Sequence, residues 1–481
     1  MGKTEILQGE QSRRKSVYSN VYVVTTIAFI LFCYWMLVVK NSYMLRWYEE
    51  MSLFESSRFF LRQCLYFPGG LLRYVGSWLT QLMYYPLLGS GVAVALWLLT
   101  AWITQKAFRL PRAAFPVAFV VPMAMLVSIV QIDDAWISMK TVGYMYSNTL
   151  GYLFVVAAVW LYRAVEKHQI VAFAWLLIVV GCYFIAGFYA LFAALVGVIF
   201  MIVDSARSKK YAGLALGAVL IIVVLVFPNL YYLYYQPTAV DNDYLYLKGL
   251  PDLLLESFDI YLWVPFIVAT GCLLVVAIAS AFRCIPSSRW MMWGSFGVLL
   301  ICAGWSIRAD KKNEQLRATV LMLNRLEKND WKGMVAVMSR IKEPPNYTMR
   351  TLNNFAIANL GGTPENLSDV KPSNIDARHA EGFSVTAYVN IPINYYNGNF
   401  IISYRWAMEH SVQYGKRVWF LKYMVKDALL NGEIKLAKRY NSLLKKTLFH
   451  SKWAEEMDQY IENPSLIETN MEFKSILDLA K

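Results

Sequence analysis

Nine apolar runs dominate the first 307 residues of this 481-residue chain. A helix needs about 20 mostly apolar residues to cross the hydrocarbon core of a bilayer. Inside that core, every backbone polar group must find its partner within the protein, so an apolar run of this length folds as a helix. The sequence therefore predicts about nine membrane-spanning helices. They are expected at residues 21–39, 86–105, 113–131, 147–162, 170–186, 189–203, 214–234, 260–281 and 290–307.

The composition agrees with a membrane protein. Hydrophobic residues make up 57% of the chain and charged residues only 16%, and the mean hydropathy is +0.39. An ordinary soluble domain has fewer apolar and more charged residues. The net charge of +13 does not point to nucleic acid, because many of the basic residues stand in short loops between apolar runs.

The basic loops predict how the chain is oriented. Lys and Arg collect in cytoplasmic loops, and four alternate connections here are short and basic. The basic residues before the first run likewise place the N-terminus in the cytoplasm. Because the number of spans is odd, everything after residue 307 is expected outside, which for a bacterial inner-membrane protein means the periplasm.

The loops on the predicted outer side carry acids instead. The loop at 41–85 contains Glu49, Glu50 and Glu55, and its aromatic and arginine-rich sequence is typical of helices that lie in the membrane interface. The next outer loop begins with Asp133 and Asp134, directly after the third apolar run. Charged residues at such positions are costly unless they reach water, form a pair or act on a substrate.

Residues 308–481 have a different pattern and are predicted to form a separate periplasmic helical domain. Leu316, Val320 and Leu323 share one helical face, and Asp330 is placed as the N-cap of the next helix. The Pro- and Asn-rich stretch from Thr363 to about Gly398 is predicted to be a long loop. The later helices resemble the stacked helix pairs of tetratricopeptide repeats. The fold class is thus all-α: a polytopic membrane helix bundle at 1–307 is followed by a tetratricopeptide-repeat-like (TPR-like) domain at 308–481.

Several activities have no motif in this sequence. The six cysteines form no disulfide framework and no CxxC pair, and no Walker loop, nucleotide fingerprint, GxSxG or HExxH occurs. The scattered histidines of the C-terminal region are interpreted as ordinary surface or core residues. ATP-driven and serine-hydrolase functions are therefore not expected.

The order of the membrane elements resembles the C-type glycosyltransferases, which take sugars from polyprenyl-phosphate carriers. The shared features are a first span, a long acidic outer loop with interfacial helices, two further spans and a second acidic outer loop. The sequence departs from that superfamily in offering Glu rather than the usual Asp in the first loop. The chain also resembles an uncharacterised family of Bacteroidetes multipass proteins with a TPR-like C-terminal region.

The resemblance implies roles for named residues. A carboxylate at the outer surface would deprotonate the acceptor, and basic or aromatic side chains would hold the phosphate and the sugar. The candidate catalytic acids are Asp133, Asp134, Glu49, Glu50 and Glu55. The candidate substrate-binding residues are Arg46, Arg58, Arg62, Arg73, Lys140, Trp136 and Tyr144. The competing interpretation is that the acids are solvated helix ends, the arginines are snorkelling anchors and the aromatics are an interfacial belt.

The expected function is thus transfer of a sugar or oligosaccharide from a polyprenyl-phosphate carrier to an acceptor at the periplasmic face. The alternative is a non-enzymatic scaffold that recruits envelope proteins through its TPR-like domain. The expected partners are membrane lipid, the polyprenyl-linked donor and a protein or glycan acceptor, with no nucleic acid. The one cofactor left open is a divalent cation, Mg²⁺ or Mn²⁺.

Overall fold

The computed structural model describes residues 21–132, 136, 143–235, 242–251, 260–286, 288–312, 314–342, 344–367 and 386–480. Over these residues the protein is helical and contains no β-strand, apart from one isolated bridge. The predicted all-α fold with a polytopic helix bundle is confirmed.

Eight helices among the described residues are long and apolar enough to cross a membrane. We number the spans in chain order and count a shorter broken crossing as the fifth. The third span lies at the centre, since all residues of Val120–Val130 are buried. The long spans are the first, Val21–Lys40; the second, Pro86–Ala107; the third, Arg112–Val130; the fourth, Tyr144–Val165; the sixth, Phe188–Arg207; the seventh, Tyr211–Tyr235; the eighth, Ile260–Ala281; and the ninth, Arg289–Lys312.

The fifth span is broken rather than continuous. A helix at Gln169–Gly181 is followed by a single helical turn at Tyr183–Ala186. The amide of Gln169 donates to Ser205 at one end of the bundle, while Phe188, just past Gly187, bonds to the backbone of the 242–250 segment at the other end. The segment therefore crosses the bundle and preserves the alternation that the nine-run pattern predicts.

The two ends of the bundle are chemically different. At one end, which we call the basic end, Arg109 pairs with Glu166 at 2.7 Å and the Ser280 hydroxyl donates to the Phe108 carbonyl at 2.7 Å. These contacts join the ends of the second, fourth and eighth spans. The opposite end, which we call the domain end, carries the loops after the first and third spans and the C-terminal helices.

Three short helices fill the loop after the first span, at Ser42–Glu50, Arg58–Leu65 and Gly70–Thr80. The last packs closely on the start of the fourth span. Gly143 has a φ of +73°, and a methyl group there would collide with the Arg73 carbonyl oxygen. Glycine is thus required for this approach.

The C-terminal helices, residues 314–480, pack mostly against their neighbours in the sequence. Asp330 accepts a hydrogen bond from the Gly333 N–H at 2.9 Å, so the predicted N-cap is confirmed. Leu316, Val320 and Leu323 are buried as predicted. The likeness to tetratricopeptide repeats stays a prediction. The helices are Glu314–Leu326, Trp331–Met338, Tyr347–Asn359, Thr386–Tyr396, Phe400–Tyr414, Val418–Leu430, Ile434–Leu444, Ser451–Glu462 and Met471–Ala480.

The loop predicted from Thr363 to about Gly398 is wrong over its last part, where Thr386–Tyr396 is a helix. Its proline and asparagines have poor helix propensity, but propensity is a weak prior that tertiary packing overrides. Val389 and Ile391 are fully buried, and the Tyr395 hydroxyl donates to Glu472 at 2.8 Å. These contacts stabilise a helix that the local sequence disfavours.

Candidate functional site at the domain end

All three glutamates of the first loop face basic side chains of the C-terminal helices. Glu50 pairs with Lys422 at 3.1 Å and Glu55 pairs with Lys446 at 2.8 Å. Glu49 lies within 3.0 Å of the His450 Nε2 atom through both carboxylate oxygens. The predicted catalytic glutamates therefore form part of the contact between the membrane core and the C-terminal helices.

The Glu49 and His450 side chains are each only 2% exposed. Tyr84 covers the histidine edge-on at a ring distance of 5.3 Å and stacks on Phe449 at 5.2 Å. The Arg46 guanidinium lies 5.0 Å from the Tyr84 ring on the same side of the loop. Aromatic packing thus excludes water from the acid and the imidazole.

Burial shifts both pKa values toward the uncharged forms. It raises the pKa of Glu49 well above its usual range, and the neighbouring Glu50 charge adds to this. Burial and the charge of Lys422 lower the pKa of His450 to about 3. Desolvation disfavours charge on either group, so near neutral pH the pair is expected to hold its proton on Glu49, which donates to a neutral imidazole.

Two further carboxylates next to this pair have opposite shifts. Burial would raise the pKa of Glu50, but the charge and the hydrogen bond of Lys422 outweigh it and lower the pKa. Glu327 accepts a hydrogen bond from the Trp419 indole at 3.2 Å, and its burial raises its pKa. The pKa shifts therefore favour the ionised form of Glu50 and the protonated forms of Glu49 and Glu327.

The loop after the third span meets the loop after the first span at the same place. Trp136 packs on Tyr48 at a ring distance of 5.4 Å, and its carbonyl accepts a hydrogen bond from Arg417 at 3.2 Å. The Val418 N–H donates to the Ser52 carbonyl at 3.1 Å. Both loops and the helix Val418–Leu430 therefore meet beside Glu49.

The other predicted arginines are dispersed, whereas Tyr144 packs on Trp136 at a ring distance of 5.9 Å. Arg58 and Arg62 are exposed on the helix Arg58–Leu65, whereas Arg73 is buried in the next helix. Trp136 and Tyr144 are buried, and the Tyr144 hydroxyl donates to the Ser128 carbonyl at 3.1 Å. The three arginines and the two buried aromatic residues therefore do not form one open surface. Asp133, Asp134 and Lys140 lie outside the described residues.

Sequence reasoning missed the basic partners. Lys422, Lys446 and His450 stand 372, 391 and 401 residues from their glutamates, so no local pattern connects them. The one available signal was the excess of acids in the first loop. The described residues contain no group of three or more His, Cys, Asp or Glu side chains that could hold a metal ion. The divalent cation stays a prediction.

The structure defines the class of protein as a membrane-spanning helix bundle whose first long loop contacts a C-terminal set of helices. Residues 16–480 match a family model described as a family of unknown function (DUF6057), and the chain belongs to that family. No curated protein and no solved structure matches the chain.

Proposed function

We propose that the protein is a membrane glycosyltransferase that moves a sugar or oligosaccharide from a polyprenyl-phosphate carrier to an acceptor. The observation that carries the proposal is the meeting of the two acidic loops. Trp136, from the loop that contains Asp133 and Asp134, lies against Tyr48, next to Glu49. In this proposal the domain end faces the periplasm of a bacterial inner membrane.

In this proposal the predicted acids have different roles. Glu50 and Glu55 have basic partners, and Glu49 is enclosed with His450, so these three would hold the C-terminal helices beside the reaction site. Asp133 and Asp134 are then the candidates for the base. A carboxylate near the membrane surface would take the proton of the acceptor hydroxyl as the phosphate carrier leaves.

The test compares surface glycans and envelope glycoproteins in cells without the gene, with the intact gene, and with Asp133→Asn plus Asp134→Asn. The matched control is Glu455→Gln plus Glu456→Gln, an adjacent acid pair exposed on the helix Ser451–Glu462. We expect the intact gene and the control to restore a glycan that the Asn variant does not restore, at equal membrane abundance.

The second candidate function is a non-enzymatic scaffold. It is favoured by the first-loop glutamates, which all contact basic residues of the C-terminal helices and so fix those helices on the membrane core. In the same experiment, a glycan profile that is unchanged by deletion of the gene would contradict the glycosyltransferase and favour the scaffold.

A further inference from the structure

A cavity of about 370 Å³ opens at the basic end, far along the bundle from the paired glutamates. This volume is within the range of small-molecule sites. Two acidic side chains, Glu166 and Asp204, line it together with six basic ones, which leaves a surplus of four positive charges. The basic residues are Arg109, Arg163, Lys167, Arg207, Lys210 and Arg283.

Arg163 is held in a fixed position at the wall of this cavity. Its side chain is 10% exposed, pairs with Glu166 at 2.9 Å and lies 4.4 Å from the Phe200 ring. Its Nε atom is buried and has no hydrogen-bond partner among the described residues. Since a guanidinium has five N–H donors, the contacts with Glu166 orient Arg163 without using its full capacity.

Two other lining arginines stand in a backbone conformation that normally favours glycine. Arg109 and Arg283 have φ values of +50° and +56°, each just past the end of a span. The turns are closed by hydrogen bonds from Leu110 to Gln105 and from Cys284 to Ala279, at 3.0 and 2.9 Å. Glycine would relieve the strain of this left-handed conformation, so these charged side chains are kept there at a cost in free energy.

Topology alone does not require this arrangement. The positive-inside rule places Lys and Arg in loops on one side but does not gather them around a cavity. Arg112 and Arg289, for example, are exposed at the same end and do not line it. A concave site with surplus guanidinium and ammonium groups is suited to a phosphate, because guanidinium matches phosphate oxygens in a bidentate way.

Exposed apolar side chains flank the cavity. Ile170, next to the lining residue Gln169, is 80% exposed, and Phe282, next to Arg283, is 54% exposed. A ligand with a phosphate headgroup and acyl chains would meet positive charge in the cavity and apolar surface beside it. Basic pockets between spanning helices bind anionic lipid headgroups in this way.

We propose that this cavity binds a phosphate-bearing headgroup, and that its source is an anionic phospholipid rather than a soluble phosphate compound. The proposal concerns the basic end only and does not depend on the glycosyltransferase at the domain end.

The test uses purified full-length protein and measures the dissociation constant by native mass spectrometry in three arms. They are phosphatidylglycerol, phosphatidylcholine and inorganic pyrophosphate. The cavity variant is Lys167→Gln plus Lys210→Gln, and both positions are exposed, so the fold tolerates them. The control is Arg112→Gln plus Arg289→Gln, which removes the same charge from the same end. Arg163→Gln tests the buried guanidinium, with thermal unfolding recorded beside it.

We expect phosphatidylglycerol to bind more tightly than phosphatidylcholine, and the cavity variant to weaken its binding by about tenfold, as loss of a charge-assisted contact does. The control should change binding by less than about twofold. Equal losses in the cavity and control variants, or no preference for phosphatidylglycerol, would overturn the proposal. Cavity-dependent binding of pyrophosphate without lipid binding would keep the phosphate site and overturn its assignment to a lipid.

Discussion

The two ends of the bundle handle their charges differently. At the domain end, the acids of the first loop have basic partners or an imidazole across the contact, and aromatic rings cover the innermost pair. At the basic end, positive side chains outnumber acids around an open cavity. Charges that are satisfied within the protein stabilise its assembly, whereas surplus charges around a cavity favour a ligand. Charged residues of the same types therefore stabilise the fold at the domain end and favour ligand binding at the basic end.

The largest effect should come from Asp310, a buried acid at the domain end. It accepts hydrogen bonds from Lys40 at 2.7 Å, from Asn41 at 2.9 Å and from Arg317 at 2.6 Å. Asp310→Ala would leave these donors without their anion, and loss of one partner of a buried ion pair costs about 3–5 kcal/mol. Unfolding of the protein in detergent would measure the loss.

The matched comparison is Glu409→Ala, which removes the acid of an exposed pair with Arg405. That pair should contribute no more than about 1 kcal/mol. If Asp310→Ala and Glu409→Ala lose the same unfolding free energy, burial does not determine how much a charged pair contributes to stability.

Gly187→Ala tests how closely the backbone packs at the domain end. Gly187 has φ of +56° and ψ of −131°, and a methyl group there would collide with the Lys248 carbonyl oxygen. This conformation is essentially restricted to glycine, so we expect a loss of about 3 kcal/mol or more in unfolding free energy. Gly91→Ala, at an open helical position, should be neutral or slightly stabilising. Equal effects at both positions would contradict the close approach.

The Glu49 and His450 pair predicts a plateau in stability with pH. His450 has a lowered pKa in the folded protein, so its contribution is lost as pH falls from about 6.5 toward about 3. Glu49 has a raised pKa, so its contribution is lost as pH rises above about 4.5. The two slopes have opposite signs, so they oppose each other between about pH 4.5 and about pH 6.5. Outside that window, stability should fall by up to about 1.4 kcal/mol per pH unit.

Thermal unfolding across pH checks this prediction with two variants. His450→Asn should remove the acid-side fall, and Glu49→Gln should remove the alkaline-side fall. A pH profile that neither substitution changes would show that another group controls it.

The smallest effect is expected at the edge of the contact. Lys446 is 47% exposed where it pairs with Glu55, so solvent screens this attraction. Lys446→Gln should cost less than about 1 kcal/mol. A loss as large as that of Asp310→Ala would mean that the exposed Glu55–Lys446 pair, and not the buried contacts of Glu49 and Glu50, holds the C-terminal helices.

The membrane architecture was predictable because spanning helices leave a local signal. The apolar runs predict the eight long spans and the shorter fifth run, but they do not predict its break at Cys182. The helix Thr386–Tyr396 was missed because its stability depends on distant contacts, such as Tyr395 with Glu472.

Only the acidic residues of the candidate site were predictable from the sequence, and their basic partners were not. The acids of the first loop were visible as an acidic cluster, but His450 and Lys422 are brought to them by folding over hundreds of residues. The sequence pattern thus indicated a charged outer loop and not its partners. The basic cavity was missed for a similar reason, since each of its arginines is explained locally by topology and only their convergence is informative.

We expect the first-loop glutamates to hold the C-terminal helices against the membrane-spanning helices. A double-mutant cycle with Glu50→Gln, Lys422→Gln and the combined variant, measured by unfolding free energy, tests it most directly. We predict a coupling of at least about 1 kcal/mol, since Glu50 is largely buried and pairs with Lys422 at 3.1 Å. Losses that add to within about 0.3 kcal/mol would contradict the claim.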